Sequence, residues 1–73
     1  MKSTTITPQQ VRVIQGIARG LTAAQIGEEL GIGARTAKYH CDEVRRKLGV
    51  ELRRQVPWAY AQRLKERRGD GHD

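Results

Sequence analysis

His40 and Cys41 are the neighbouring side chains of this sequence with the widest chemical repertoire. They lie in the segment GARTAKYHCDEVRRKLGV, residues 33–50. An imidazole and a thiol can ligate a metal, or act as base and nucleophile. Adjacent residues on a helix point about 100° apart, so these two cannot easily coordinate one ion. The other histidine, His72, lies in a polar tail. The sequence therefore predicts no metal site, no catalytic residue, no cofactor and no enzymatic activity.

The same segment divides into two faces when residues 34–48 are placed on a helix. A buried face is predicted from small and apolar residues spaced four, three and four apart, at Ala37, Cys41, Val44 and Leu48. The opposite face carries Arg35, Lys38, Tyr39, Asp42, Arg45 and Arg46, while His40 and Lys47 flank the buried face. A cysteine on an apolar face is usually buried and inert. The helix is therefore expected to bury Cys41 and to expose a basic surface.

A basic surface points to a polyanionic partner. The 73 residues include 14 lysines and arginines against eight aspartates and glutamates, which gives a net charge of +6. Such a charge attracts nucleic acid, and an exposed helix fits the major groove of double-stranded DNA. The first turns are expected to meet base edges, with Arg35, Lys38, Tyr39 and Asp42. Later cations are expected to meet phosphates, with Arg45, Arg46 and Lys47. A merely solvated helix is the alternative.

Helix start and stop signals predict an all-α fold of four helices. The segments TPQQ (residues 7–10) and TAAQ (residues 22–25) have the spacing of capping boxes, and glycines follow three apolar-periodic segments. Pro57 belongs in the first turn of the last helix. The predicted helices span about residues 8–19, 23–30, 34–48 and 56–67. The short second helix, a tight turn and the long third helix form a helix-turn-helix arrangement.

The remaining organisation follows from composition. Residues 1–6 are predicted to be a flexible arm, residues 7–67 a DNA-binding domain and the polar residues 68–73 a disordered tail. The first helix is expected to carry an apolar face of Val11, Ile14, Ala18 and Leu21, with Ile17 at its edge. A lone cysteine, and no apolar run approaching the roughly 20 residues of a membrane span, favour a soluble cytoplasmic protein.

Residues 5–50 resemble the LuxR/GerE-type helix-turn-helix domain of bacterial transcription regulators. The resemblance rests on ITPQQVRVIQGIARG followed by LTAAQIGEELGIGARTAKYHCDEVRRKLGV. It implies a third helix in the major groove and a fourth that supports dimerisation, hence a homodimer on double-stranded DNA. By position it places Lys38 and Tyr39 at base edges, with Asp42 one turn on. It places Thr36, His40 and Lys47 near the DNA backbone, and Thr22 and Gln25 at a helix start that can donate to a phosphate.

The sequence also departs from the family pattern. Ala37 stands where valine is usual and Gly27 where alanine is common, which predicts a looser core. Gly33 stands where a capping serine is typical. Asp42 puts an acid where many members carry a neutral or basic residue. The segment after Val50 differs most, and it carries a candidate dimer patch of Trp58, Tyr60 and Leu64. The alternative is that Trp58 and Leu64 complete a small core.

A protein-interaction module that binds RNA polymerase or another regulator is the competing function. Asp42 and Glu43 interrupt the basic face, and the tryptophan-bearing fourth helix is unusual for the family. Both features favour a protein partner over DNA.

Overall fold

A computed structural model describes residues 5–71, with side chains described for residues 5–66. The described residues form four α-helices and no strand, which confirms the predicted all-α helix-turn-helix fold. The helices are α1 (Pro8–Ala18), α2 (Ala23–Leu30), α3 (Ala34–Leu48) and α4 (Val56–Gly71), with a short 3₁₀ helix at Arg53–Gln55 before α4. The bounds of α2 and α3 are those predicted, whereas α1 ends one residue earlier, with Arg19 as its C-cap.

Both predicted capping boxes are present and define where α1 and α2 begin. The Thr7 hydroxyl accepts from the Gln10 backbone N–H at 3.1 Å, and the Gln10 side chain accepts from the Thr7 N–H at 3.1 Å. Thr22 and Gln25 repeat the arrangement at 3.1 and 2.9 Å. Each box satisfies two backbone groups at a helix end, where no partner within the helix exists.

A small core lies between α1, α3 and α4, and α2 packs mainly against α3. The buried apolar residues of this core are Val13, Ile14, Ile17, Ile26, Ala37, Cys41, Val44 and Val56. The predicted inner face of α3 is confirmed at Ala37, Cys41 and Val44, and Leu48 packs partly buried against the core. Because each fully buried aliphatic side chain contributes roughly 1.5–3 kcal/mol, the loss of one is serious in so small a domain.

The predicted apolar face of α1 is partly wrong. Ile14 and the edge residue Ile17 are buried, while Ala18 is exposed and Val11 and Leu21 are partly buried. The real face is Gln10, Val13, Ile14 and Ile17, which follows the helical spacing of three, four and seven residues from Gln10. The polar Gln10 at its first position conceals this face in the sequence.

The extent of the last helix differs from the prediction. The backbone of α4 is helical to Gly71, four residues beyond the predicted end at about residue 67. A helix already nucleated gains one backbone hydrogen bond for each residue added, which favours its extension into polar sequence. At the other end, Ile6 packs partly buried against the core. The predictions for residues 1–4 and 72–73 lie outside the described residues.

Gly27 brings the turn before α3 into direct contact with α2. A Cβ added at Gly27 would lie 2.8 Å from the carbonyl oxygen of Ile32 and 3.1 Å from that of Gly33. The Ile32 N–H also donates to the Gly27 carbonyl at 2.9 Å. The expectation of a looser core at this position is therefore wrong, because turn backbone fills the space that a methyl group would occupy.

Replacing Gly33 by serine should stabilise the domain. Gly33 is the N-cap of α3, has extended φ and ψ of −69° and 158°, makes no side-chain cap and has nothing within 4 Å of an added Cβ. A serine hydroxyl there can accept from the Thr36 N–H, as Thr7 and Thr22 do in their own helices. We expect Gly33→Ser to raise the free energy of unfolding by about 0.5–1 kcal/mol in urea denaturation.

Gly33→Ala is the matched control, because it adds the same Cβ without a hydroxyl. It should be less stable than the serine variant by about 1 kcal/mol. Equal stability of the two variants would show that a hydroxyl at position 33 does not cap α3.

Candidate nucleic-acid interface

The first two turns of α3 present an exposed, unpaired group of polar side chains. Arg35, Thr36, Lys38 and Tyr39 are all exposed. Neither Arg35 nor Lys38 forms an ion pair with another described residue. Residues three and four apart lie on the same face of a helix, so Arg35, Lys38 and Tyr39 form one surface. The α2–α3 turn, packed on Gly27, leads directly into the helix that carries this surface.

Asp42 and Arg45 form an ion pair one turn further along α3. Arg45 Nη2 lies 2.7 Å from Asp42 Oδ1, and Arg45 Nη1 donates to the Glu51 carbonyl at 2.5 Å. The sequence assigned Asp42 to a base and Arg45 to a phosphate as separate residues. The structure brings them together, and the guanidinium is attached to protein at two points.

Arg46 has a looser partner on the same helix. Its Nη1 lies 2.6 Å from Glu43 Oε2, but its side chain remains 63% exposed against 35% for Arg45. An exposed ion pair of this kind is worth about 0–1 kcal/mol, so Arg46 can exchange Glu43 for a phosphate at little cost.

Lys47 is held by the start of α1. Its Nζ donates to the Thr5 carbonyl at 2.8 Å and to Gln10 Oε1 at 3.0 Å. Gln10 is only 7% exposed, and its Oε1 also accepts from the Thr7 N–H, so this buried polar atom is satisfied by two donors. An ammonium has three donors, which leaves Lys47 one for a phosphate.

Two arginines that are not among the predicted site residues connect separate parts of the chain. Arg63 of α4 donates to the Lys47 carbonyl at 2.9 Å, a favourable place for a cation because carbonyls at a helix end lack partners within the helix. Arg53 donates to the Leu21 carbonyl at 3.0 Å. A basic residue near the end of its own helix indicates an interaction with the last carbonyls of that helix. Here Arg53 and Arg63 bind carbonyls of other elements, so the sequence alone does not reveal the pairing.

His40 lies at the edge of the exposed surface. It is partly buried, its ring meets that of Tyr39 edge-on with centroids 5.8 Å apart, and its Nδ1 is buried without a hydrogen-bond partner among the described residues. A buried N–H without an acceptor is costly, so we assign the proton of the neutral ring to Nε2. That nitrogen is then the one that can donate.

The chain matches one known family over most of its length. The profile of the GerE family, described as bacterial regulatory proteins of the luxR family, matches residues 4–57. The chain belongs to this family. No curated protein and no solved structure matches it significantly. Membership makes the GerE-family chain a DNA-binding domain of the kind found in transcription regulators. Among residues 5–71 no helix is long and apolar enough to cross a membrane.

The fourth helix of this GerE-family chain exposes two large apolar side chains, Trp58 and Leu64. Trp58 is 65% exposed and Leu64 is 41% exposed, so the alternative that they complete the core is wrong. Val56 is the residue that α4 buries fully, and Tyr60 packs against the core beside it at helical spacing. Of the candidate dimer patch, Trp58 and Leu64 are therefore accessible, and Tyr60 is partly committed to the interior.

Cys41 lies in the core, as the helical wheel predicts. Burial raises the pKa of its thiol, and the nearby Arg53 guanidinium only partly opposes this shift. Within the described part of the chain, no group of three or more histidine, cysteine, aspartate or glutamate side chains could hold a metal ion.

The thiol should react slowly with an aromatic disulfide reagent in the folded protein. The thiolate is the nucleophile, and a raised pKa keeps it scarce at about pH 8, while burial blocks access. We expect the reaction to be at least about tenfold slower than in denaturing urea, and to accelerate as pH rises. Free glutathione at each pH is the control for the reagent. Equal rates in the native and denatured protein would show that Cys41 is exposed.

Proposed function

We propose that this GerE-family chain recognises a specific double-stranded DNA sequence by placing α3 in the major groove. The observation that carries the proposal is the exposed surface of Arg35, Lys38 and Tyr39, whose cations have no partner among the described residues. Free guanidinium and ammonium groups can donate to guanine edges, the commonest specific contact in the major groove. The rigid turn behind this surface limits the positions from which α3 can approach a base pair.

The other candidate residues differ in which of their donors and acceptors are still available to DNA. Asp42 Oδ2 can accept from a cytosine amino group, since Arg45 binds the other carboxylate oxygen. Phosphate contacts are proposed for Thr36, His40, Arg45, Arg46 and Lys47, and for Thr22 and Gln25 at the start of α2. Support is stronger for exposed Arg46 than for Arg45 and Lys47, whose charged groups already bind protein.

Dimerisation is proposed through α4. The support is the exposure of Trp58 and Leu64 on a helix that buries Val56 elsewhere, because exposed aromatic residues are enriched in interfaces. A homodimer would bind two half-sites related by a two-fold axis. Regulation of transcription on chromosomal DNA would place the protein in the bacterial cytoplasm.

A protein-interaction role, with RNA polymerase or another regulator as partner, is the second candidate. It is favoured by a further exposed apolar side chain, Leu52, which is 47% exposed. If this role is the right one, duplex binding should lack both sequence preference and salt sensitivity in a gel-shift titration at two salt concentrations.

Lys38→Ala should reduce sequence discrimination. With duplexes selected from a random library, we expect the variant to lose about 1–3 kcal/mol on the selected sequence and little on random DNA, measured by fluorescence anisotropy. Lys65→Ala, which removes an exposed lysine from α4, controls for the change in net charge. An equal loss on both duplexes would make Lys38 a phosphate contact.

Trp58→Ala should weaken the proposed dimer without unfolding the domain. An exposed aromatic anchor at the centre of an interface is commonly worth about 2 kcal/mol, so the dissociation constant in sedimentation equilibrium should rise about thirtyfold. Tyr39→Ala is the matched control, because it removes an equally exposed aromatic ring from α3. An unchanged dissociation constant, or a parent protein that stays monomeric, would exclude this interface.

A further inference from the structure

The cations of α3 differ in how freely they can meet a polyanion. Arg35 and Lys38, near its start, have no ionic partner among the described residues. In the last turn lie Arg45, Arg46 and Lys47. Two of these are paired with an acid three residues earlier, Asp42 with Arg45 and Glu43 with Arg46. The acids on the DNA-facing helix therefore act on specific neighbouring arginines.

Of these two arginines, Arg45 is the more constrained. It combines the 2.7 Å ion pair to Asp42 with a 2.5 Å hydrogen bond to the Glu51 carbonyl, and it is 35% exposed. Arg46 has one acidic partner and is 63% exposed. Charge-assisted bonds at two points hold a guanidinium in one orientation more firmly than a single exposed pair does.

Pairing changes what a cation contributes to DNA binding. Binding to DNA of any sequence depends on the number of phosphates that free cations neutralise, with release of counterions. A guanidinium bound to a carboxylate must first leave it, and the carboxylate then faces the phosphates unpaired. The Asp42–Arg45 pair therefore penalises a phosphate contact by Arg45, in the last turn of α3.

We propose that Asp42 is a specificity-determining residue that acts through Arg45. By holding Arg45 in the pair, Asp42 lowers the affinity of the chain for DNA of arbitrary sequence and leaves binding to the free cations on the first turns of α3. This role rests on the proposed function. It is separable from a base contact of Asp42, because a base contact would affect the selected sequence alone.

Asp42→Asn tests the proposal, with Glu28→Gln as the matched control. Both changes remove one negative charge, but Glu28 is exposed on α2 and has no ion pair among the described residues. The dissociation constant for a random duplex is measured over a salt series. We expect Asp42→Asn to tighten binding about threefold beyond the control, which corresponds to one exposed ion pair. The slope of log affinity against log salt should steepen by about 0.9, one additional phosphate contact.

Arg45→Gln supplies a second, independent arm. In that background Asp42→Asn has no guanidinium to release, so its effect on random-duplex affinity should equal that of Glu28→Gln. An extra effect that persists without Arg45 would overturn the proposal, as would identical behaviour of Asp42→Asn and Glu28→Gln in the otherwise unchanged protein. Circular dichroism of each variant verifies that α3 is intact.

Elution from heparin-agarose separates this proposal from the proposed function. Heparin is a polyanion without base sequence, so the salt needed for elution reports accessible cations alone. If the parent protein shows no sequence preference on duplex DNA, the proposed function fails. If Asp42→Asn elutes at higher salt than Glu28→Gln, the proposal that Asp42 keeps Arg45 from a polyanion is still supported. Elution of both variants at the same salt concentration would overturn that proposal.

Discussion

The place of α3 in this domain depends on one backbone contact, between Gly27 of α2 and the turn that precedes α3. Two turn carbonyls approach so closely that no side chain fits between them and Gly27. The N–H of Ile32 bonds back to the Gly27 carbonyl, so contact and hydrogen bond reinforce each other. Because the turn leads directly into α3, this backbone contact sets where the helix begins, and the burial of Ala37, Cys41 and Val44 then sets which of its faces is exposed.

The positive charge of the chain is unevenly available. A net charge of +6 describes long-range attraction, but the structure divides the cations of α3 into free, paired and tethered groups. Free cations lie near the N-terminal end of α3, and pairing increases toward its C-terminal end. Electrostatic attraction carries no sequence information, and a cation that is already paired contributes less to it than a free one does.

The sequence predicted the local features of this fold better than its tertiary ones. Helix bounds and both capping boxes follow from signals within a few residues, and the inner face of α3 follows from its spacing. The buried face of α1 was missed because Gln10 is polar, and its burial depends on Lys47, 37 residues away. The exposure of Trp58 could not be predicted for a similar reason. It depends on tertiary packing, in which Val56 and Tyr60 are the residues of α4 that contact the core. For the candidate site, the sequence predicts which residue types are present, but the pairing of Asp42 with Arg45 is visible only in the folded structure.

The hydrogen bond from Lys47 to Thr5 also ties the last turn of α3 to the segment that precedes α1. Arg63 of α4 donates to the carbonyl of the same lysine, so three parts of the chain meet at one residue. Without the Thr5 carbonyl, the Lys47 ammonium would keep Gln10 as an acceptor and would have two donors instead of one for other partners. The number of hydrogen bonds that Lys47 can offer to another molecule therefore depends on the position of Thr5.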